Sequence, residues 1–484
     1  MKLINSALVF YFVLPYLVFL FFFNPETNLN FNEVLWALQN TIVQSGISSL
    51  LSIGFGFGMA LAIYALPKAI QNITAFLLLI PQFLPVIFSL LIGLSLISPY
   101  PMGTAGVIFI FTLINSGFAG FLLFQGIGGH FNQSAMIGEI YGINRFKFFI
   151  RVLIPGLKEE FKQTFLVIFL FCFTSISVPL VVGGGKGTNL EVLIYEKIFI
   201  DQNWSAAWYL NLMQIFLVVL LSLLITKSKI NANNVKEYES TYIKSRLMVI
   251  LLMGYLLTYC FGYFRQVYQS FSEFNFLIQY QDEIINAFLN GISVYMITSV
   301  LFLGFLLLWI YTFYRSNRHI WVRHFFSVST ILVGFSIFML FPQTIYFDYL
   351  KIPLAFSFLV FILLVRSFYL PSLESIQTQL QVSNIYGISF KVTVVKVICP
   401  QTKKALLICL SLLYFWLISD FAILKSAGVQ IQTPGLIIED FISSYRLNAA
   451  VLLSFFVFVS WLVYSLFLGF LTKGDHVTHS KYSS

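Results

Sequence analysis

Charge is scarce in this sequence. Only 10% of its 484 residues are Asp, Glu, Lys or Arg, while 59% are hydrophobic. Soluble domains carry about 25% charged residues, so the chain has too little polar surface for a water-soluble fold, and lipid must be its main solvent. In lipid, only helices or a closed barrel satisfy every backbone group. The short alternating segments of a barrel are missing. In their place stand apolar runs of about 20 residues, the length that crosses about 30 Å of hydrocarbon. The expected fold class is all-α, a polytopic membrane protein.

Groups that do chemistry are scarce as well. The four cysteines, Cys172, Cys260, Cys399 and Cys409, stand singly without metal or redox spacing and read as small apolar packing residues. The five histidines (His130, His319, His324, His476, His479) have no metal-ligand spacing. No nucleophile–base arrangement and no paired carboxylates lie in an apolar run, so no enzyme activity, metal or bound cofactor is expected of this chain. Gly183-Gly184-Gly185-Lys186-Gly187-Thr188 resembles a phosphate loop only in outline. A phosphate loop needs adjacent Lys and Ser/Thr with a glycine five residues before the lysine-preceding glycine; here glycine separates Lys186 from Thr188, and Leu180 fills the upstream position.

Twelve spans are expected, near 5–23, 42–66, 73–97, 104–125, 163–183, 206–226, 246–263, 286–313, 322–341, 350–368, 405–424 and 449–472. The first run, Ser6 to Phe23, is longer than a signal-peptide core, and Asn24-Pro25-Glu26 is no cleavage site. It is read as an uncleaved span. With the amino terminus inside, 22 of the 28 Lys and Arg fall on the inner side and 6 on the outer. Eleven of the 19 acids fall outside and seven inside, with Asp420 placed in a span. A missed or invented helix would scramble this partition downstream of the error. The net charge of +9 is therefore a topology signal and not a nucleic-acid surface, and both termini are expected in the cytoplasm.

The chain also repeats itself. Ile140-Tyr141-Gly142-Ile143 recurs as Ile385-Tyr386-Gly387-Ile388, and Pro155 and Pro400 each lie thirteen residues beyond the glycine. Arg151-Val152 matches Lys396-Val397, and Asn40, Ser49, Leu51 and Gly54 match Asn290, Ser299, Leu301 and Gly304. Ala206-Ala207 pairs with Ala449-Ala450. The expected organisation is a first half over 1–226, a cytoplasmic linker over 227–245 and a second half over 246–484. Each half has six spans, an even number, so the repeats run parallel.

The repeated inner loops, about 128–162 and 371–404, carry the most information. Arg145, Phe146, Lys147 and Arg151 in the first, and Phe390, Lys391 and Lys396 in the second, form basic amphipathic segments between glycine and proline. Glycine permits a tight break, and proline starts the next helix. Such a segment fits a groove on a partner protein or a bed of lipid headgroups. Two copies with equal spacing point to the partner.

These loops resemble the EAA coupling loops of permeases in binding-protein-dependent ABC importers. The family pattern is EAA, three residues, Gly, nine residues, Ile-x-Leu-Pro. Gly142 to Val152-Leu153-Ile154-Pro155 and Gly387 to Val397-Ile398-Cys399-Pro400 fit the spacing, while Met136-Ile137-Gly138 and Gln381-Val382-Ser383 replace the EAA triplet. Phe173-Thr174-Ser175, the glycine triplet and Leu190-Glu191-Val192-Leu193-Ile194-Tyr195 resemble the fused two-domain permeases of the thiamine and iron(III) group. Ser419-Asp420-Phe421 and Ser444-Tyr445-Arg446 look most like bacterial thiamine permeases.

The resemblance implies a pore subunit in the inner membrane, served by an extracytoplasmic solute-binding protein. Two copies of a separate subunit that binds ATP and Mg would dock on the coupling loops, at Gly142, Arg145, Phe146, Arg151, Pro155, Gly387, Phe390, Lys391, Lys396 and Pro400. Thiamine is the favoured solute and iron(III) the next. Asp420, near Trp416 and Phe421, is a candidate to attract a cation, or else pairs with Lys425 near the outer surface. Asn40 and Asn290 are candidates for packing or for lining the pore. The rival reading, an ion-coupled secondary transporter with two six-helix halves, calls for charged residues deep in several spans, and only Asp420 is placed in one.

Overall fold

The computed structural model describes residues 29–83, 86–97, 99–223, 246–316 and 329–473, with three further residues of the first apolar run. The chain is an all-α polytopic membrane protein, with no strand among the described residues. Eight of the described helices are long and apolar enough to cross a membrane: Phe31–Tyr64, Thr104–Ile127, Trp204–Leu221, Met248–Gln279, Gln281–Tyr314, Ile345–Ile362, Phe390–Ser419 and Leu447–Phe470.

Four expected spans are not among these eight, for separate reasons. Span 5–23 and linker 227–245 lie outside the described residues, apart from three residues of the former. The span expected over 73–97 is three pieces, Lys68–Leu77, Ile80–Phe83 and Val86–Leu96. Pro81 sits in the first turn of the middle piece, where its missing N–H starts a helix but cannot continue one. The span over 163–183 stops at Phe173 and resumes as Ser177–Val182. The described part of 322–341 is the short helix Thr330–Leu340, capped by Ser329, whose Oγ accepts from the Leu332 N–H at 3.1 Å.

Two compact units emerge, and they do not coincide with the halves of the sequence. Among the described residues, the first holds 29–201 and 213–269, and the second holds 202–212 and those from Ser270 on. In the first unit, α1 (Phe31–Tyr64), α2 (Thr104–Ile140) and α3 (Lys158–Phe173) form the core. α4 (Leu190–Phe199) packs on α1, and α5 (Trp204–Leu223) is divided, Trp204–Leu212 belonging to the second unit and Met213–Leu223 to the first. The helix α6 (Arg246–Ser270) belongs to this unit too, although the repeat makes it the first span of the second half. Its Tyr255 hydroxyl accepts from the Gly117 N–H and donates to the Leu113 carbonyl of α2, both at 3.0 Å.

Small residues let α1 and α2 approach closely. Ser48, Ser52, Gly56 and Ala60 are buried at spacing four along α1, a ridge that admits a neighbouring backbone. A Cβ on Gly56 would lie 2.6 Å from the Ala119 Cβ and 2.7 Å from the Gly120 nitrogen.

The second unit makes the same crossing with large residues. It contains α7 (Gln281–Ser316), α8 (Thr330–Leu340), α9 (Ile345–Leu364), α10 (Gln377–Ile385), α11 (Cys399–Ser419), α12 (Ala422–Ser426), α13 (Pro434–Ser443) and α14 (Leu447–Lys473). By the repeat, Phe302 and Phe361 stand where Ser52 and Ser116 stand in the first unit. Their rings meet edge to face at 5.5 Å, fully buried. Tyr295, Tyr414 and Tyr464 then tie α7, α11 and α14 together, with the Tyr295 and Tyr464 hydroxyls 2.6 Å apart.

Candidate functional site: two repeated turns and two asparagine clamps

The two repeated loops fold alike, because glycine and proline leave the backbone few options. In the first unit α2 continues past the expected end of its span to Ile140 and closes there with a left-handed residue, Gly142 at φ +61°. The Gly142 N–H donates to the Glu139 carbonyl at 3.1 Å and the Ile143 N–H to the Gly138 carbonyl at 2.9 Å. This is the helix-ending pair of bonds that glycine makes possible. Asn144 Oδ1 then accepts from the Phe146 N–H at 3.2 Å, opening the helix Arg145–Phe148.

The second loop repeats each step 245 residues later. α10 ends with Gly387 at φ +65°; its N–H donates to the Asn384 carbonyl at 3.1 Å, and the Ile388 N–H to the Ser383 carbonyl at 3.0 Å. Ser389 precedes the helix Phe390–Thr393.

Each short helix then widens into a π-helical turn, Phe149–Leu153 and Val394–Ile398. The cause is the proline that follows. Pro155 and Pro400 have no N–H for the carbonyls of Arg151 and Lys396, and their rings crowd those carbonyls. The ladder shifts by one residue, so the Ile154 N–H bonds the Phe149 carbonyl and the Cys399 N–H bonds the Val394 carbonyl. Such turns are frequent at functional positions.

One face of each loop is anchored. In the first unit Phe148, Leu153 and Leu157 are buried with Ala60 and Leu61 of α1 and Leu123 and Ile127 of α2. In the second, the Tyr314 hydroxyl donates to the Ile388 carbonyl at 3.0 Å, and the Phe390 ring lies 5.0 Å from Tyr311 and 5.8 Å from Tyr314. Phe390 is therefore a half-buried anchor, whereas Phe146, grouped with it by sequence, is largely exposed. Arg151, Pro155, Lys391, Lys396 and Pro400 are all exposed.

The two asparagines act as a matched pair of clamps. Asn40 Nδ2 donates to the carbonyls of Lys186 (3.3 Å) and Thr188 (3.1 Å), and its Oδ1 accepts from Thr104 Oγ1 at 3.3 Å. Asn290 Nδ2 donates to the Gln432 carbonyl at 3.2 Å, and its Oδ1 accepts from the Tyr349 hydroxyl at 3.2 Å. Thr104 and Tyr349 are again 245 apart. Each asparagine pins the segment after the fifth span of its half to the start of the fourth. Gly187, just after the glycine triplet, is part of the first clamp: Gln44 Nε2 donates to its carbonyl at 2.8 Å, and a Cβ on Gly187 would lie 2.9 Å from the Gly103 carbonyl carbon.

Asp420 lies one residue beyond the end of α11, not inside a helix. Its backbone is extended, and its Oδ1 accepts from the Ile423 N–H at 2.8 Å, capping α12. The Asp420 N–H bonds the Trp416 carbonyl at 3.0 Å, and Phe421 is its next neighbour in the break. Lys425 pairs with Glu439.

Sequence reasoning did not single out two wholly buried polar pairs. Lys351 Nζ lies 3.1 Å from Asp348 Oδ1, and Asp348 Oδ2 accepts from the Gln430 and Ile431 N–H groups at 2.7 and 3.2 Å. The sequence signal was their i, i+3 spacing inside an apolar helix. In the first unit, Gln214 Nε2 donates to the buried Glu191 carboxylate at 2.9 Å. No cluster of His, Cys, Asp or Glu able to hold a metal is found among the described residues.

The chain is similar to proteins named thiamine transport system permease protein ThiP. The one from Haemophilus influenzae is 27% identical over 246 residues, 46% of this chain and 45% of that protein. Those from Escherichia coli K12 and Brucella abortus are each 28% identical, over 132 and 216 residues, covering 26% and 40% of this chain and 25% and 40% of theirs. The matched region thus spans less than half the length of these curated relatives. No family model matches the chain, and no solved structure does.

Proposed function

We propose that this chain is the pore subunit of an ATP-binding-cassette importer that carries thiamine across the inner membrane. The observation that carries the importer class is the twin inner turn: glycine cap, short basic helix, π-helical turn and proline, built twice at the same spacing. An ion-coupled secondary transporter has no use for twin docking elements of this kind. Similarity to proteins named for thiamine transport supports thiamine ahead of iron(III).

In this reading a separate subunit binds ATP and Mg, and two copies dock on the loops at 128–162 and 371–404. An extracytoplasmic solute-binding protein delivers the solute to the outer face, and both chain termini lie in the cytoplasm. ATP-driven closure of the docked pair draws the loops together, which requires each loop to bind one conformer of its partner better than another. Asp420, with Trp416 and Phe421 beside it, lies on the solute route and attracts the cation. Asn40 and Asn290 hold the outer segments in place around that route.

Uptake of labelled thiamine at submicromolar concentration, in cells with and without the gene, tests the proposal, with iron(III) uptake followed in parallel. Loss of energy-dependent thiamine uptake alone is expected. Loss of iron uptake alone moves the chain to the iron(III) group, and no change in either overturns the substrate.

A further inference from the structure

A trough of about 450 Å³ runs along α2 in the first unit, walled by α1, α2 and α6. Its α2 wall is the stripe Ala105, Ile108, Phe109, Thr112, Leu113 and Ser116, one helix face at spacings of three and four. From Ala105 to Ser116 it extends about 16 Å at the helical rise, close to one leaflet of a hydrocarbon core about 30 Å thick. Ala105 is the second residue of the span Thr104–Ile127, so the trough starts at the membrane surface and ends near the midplane. None of its lining residues is charged. The Ser116 hydroxyl donates to the Thr112 carbonyl at 2.6 Å and the Tyr255 hydroxyl to the Leu113 carbonyl at 3.0 Å, which turns both toward backbone. Among the described residues that line it, only Thr112 Oγ1 has no partner.

The second unit fills the same place with its own side chains. Trp309, Phe358 and Phe361 stand where the repeat puts Met59, Leu113 and Ser116, and all three are buried. The Phe361 ring meets those of Phe302 and Phe305 at 5.5 and 6.1 Å. Smaller side chains in the first unit leave room for something else. An empty trough forfeits packing on every wall, and water needs polar partners that this lining does not offer. With no carboxylate in it, the trough is no place for an organic cation. It is open along Leu51 and Phe55, 43% and 48% exposed, at a level where the solvent is lipid. Beside its surface end stands the exposed Lys186, whose Cβ lies 3.6 Å from where a Cβ on Gly103 would be, two residues before Ala105.

We propose that the trough is a phospholipid site: one acyl chain lies along α2 from Ala105 to Ser116, with the lipid phosphate beside the Lys186 ammonium. Nothing in this site depends on the importer reading above. An acyl chain entering the trough leaves one apolar medium for another, so the gain is close packing against three helices and not hydrophobic transfer. The ammonium–phosphate attraction adds a preference for anionic lipid and weakens as salt rises. The exposed face of α6, at Leu257 and Phe264, offers a chain neither of these, so lipid there exchanges freely while the trough keeps its own.

The test uses the full-length permease in nanodiscs doped with phosphatidylglycerol that carries a diazirine on one acyl chain, with adducts mapped by peptide mass spectrometry after irradiation. Label is expected on α2 between Ala105 and Ser116 and on α1 between Leu51 and Met59, in excess of that at Leu257 and Phe264. Ala105→Leu/Leu113→Phe, which gives α2 the residues found at those places in the second unit, is expected to lose the excess and leave the α6 label unchanged. Lys186→Gln is expected to lower the trough label about fivefold and to leave label from a phosphatidylcholine probe unchanged. The Lys186 side chain is exposed, so this variant is read even where the filled one fails to fold. Equal label in the trough and on the α6 face overturns the proposal, as does an excess that the filled variant keeps. Phosphatidylglycerol label unchanged by Lys186→Gln overturns the headgroup contact. A diazirine analogue of leucine at position 113 that cross-links to residues 5–23 or to a second copy of the chain, with no lipid adduct, gives the trough a protein occupant and overturns the proposal as well.

Discussion

Replacing the two turn glycines probes the inner-loop architecture at its narrowest point. Gly142 and Gly387 have φ of +61° and +65°, and a Cβ on either would meet nothing within 4 Å. The cost of a side chain there is conformational, not steric. For an L-residue the left-handed region costs roughly 1–2 kcal/mol, and a stiff β-branched side chain costs more. At about 1.4 kcal/mol per tenfold, alanine raises the open fraction of each turn by about 5- to 30-fold. The Ile143 and Ile388 N–H groups, bonded to the Gly138 and Ser383 carbonyls, report that opening directly. Hydrogen–deuterium exchange on peptides covering 136–146 and 381–391 of the permease in nanodiscs measures it. Protection is expected to fall in the order Gly, Asn, Ala, Val, because asparagine enters this region more readily than other residues with a side chain. Association of the ATP-binding subunit follows the same order, with the valine pair losing it while membrane insertion stays intact. Valine variants that exchange no faster than the parent refute the reasoning.

Two further outcomes concern packing. Gly56→Leu drives a side chain into the Ala119–Gly120 backbone and destabilises the protein by about 1–3 kcal/mol or more, whereas Leu306→Ala, at the matching place in the second unit, leaves a cavity costing about 2–5 kcal/mol. Thermal unfolding in detergent reads both, and a Gly56→Leu protein as stable as the parent contradicts the close crossing. Lys351→Met leaves the Asp348 carboxylate buried without its cation, at a cost of about 3–5 kcal/mol. The double variant Asp348→Asn/Lys351→Met recovers most of that loss, and an equal loss in single and double variants rules out the pair as its cause.

Much of the fold was legible because lipid imposes so few solutions. A run of about 20 apolar residues has to be a helix, and charge asymmetry then orders the runs. The breaks were less legible. Pro81 lay inside an apolar run and was passed over, as were Thr174, Ser175, Ser177 and Pro179, which follow the stop at Phe173. The turns at Gly142 and Gly387 were legible because their geometry depends on residues with unusual backbone freedom. The anchors behind them were not, since the burial of Phe390 depends on the rings of Tyr311 and Tyr314, about 80 residues away in the sequence. Asn40 and Asn290 were visible as a repeat, but their task as clamps required the carbonyls 142 to 148 residues away. The Asp348–Lys351 pair was counted among outer charges, because hydropathy does not say which charged residues turn inward.

The place of α6 in the first unit has a consequence for the order in which the protein is made. When residue 226 leaves the ribosome, every span that the repeat assigns to the first half has been synthesised, yet the first unit is incomplete. The Leu113 carbonyl and the Gly117 N–H still lack Tyr255. About 40 more residues must emerge, roughly 2–8 s at ordinary rates of synthesis, before α6 can close the unit. Throughout that interval the nascent chain carries an unfinished core in the membrane. A ribosome stalled soon after residue 226 holds a fragment in which the Leu113 carbonyl and the Gly117 N–H have no tyrosine hydroxyl to meet.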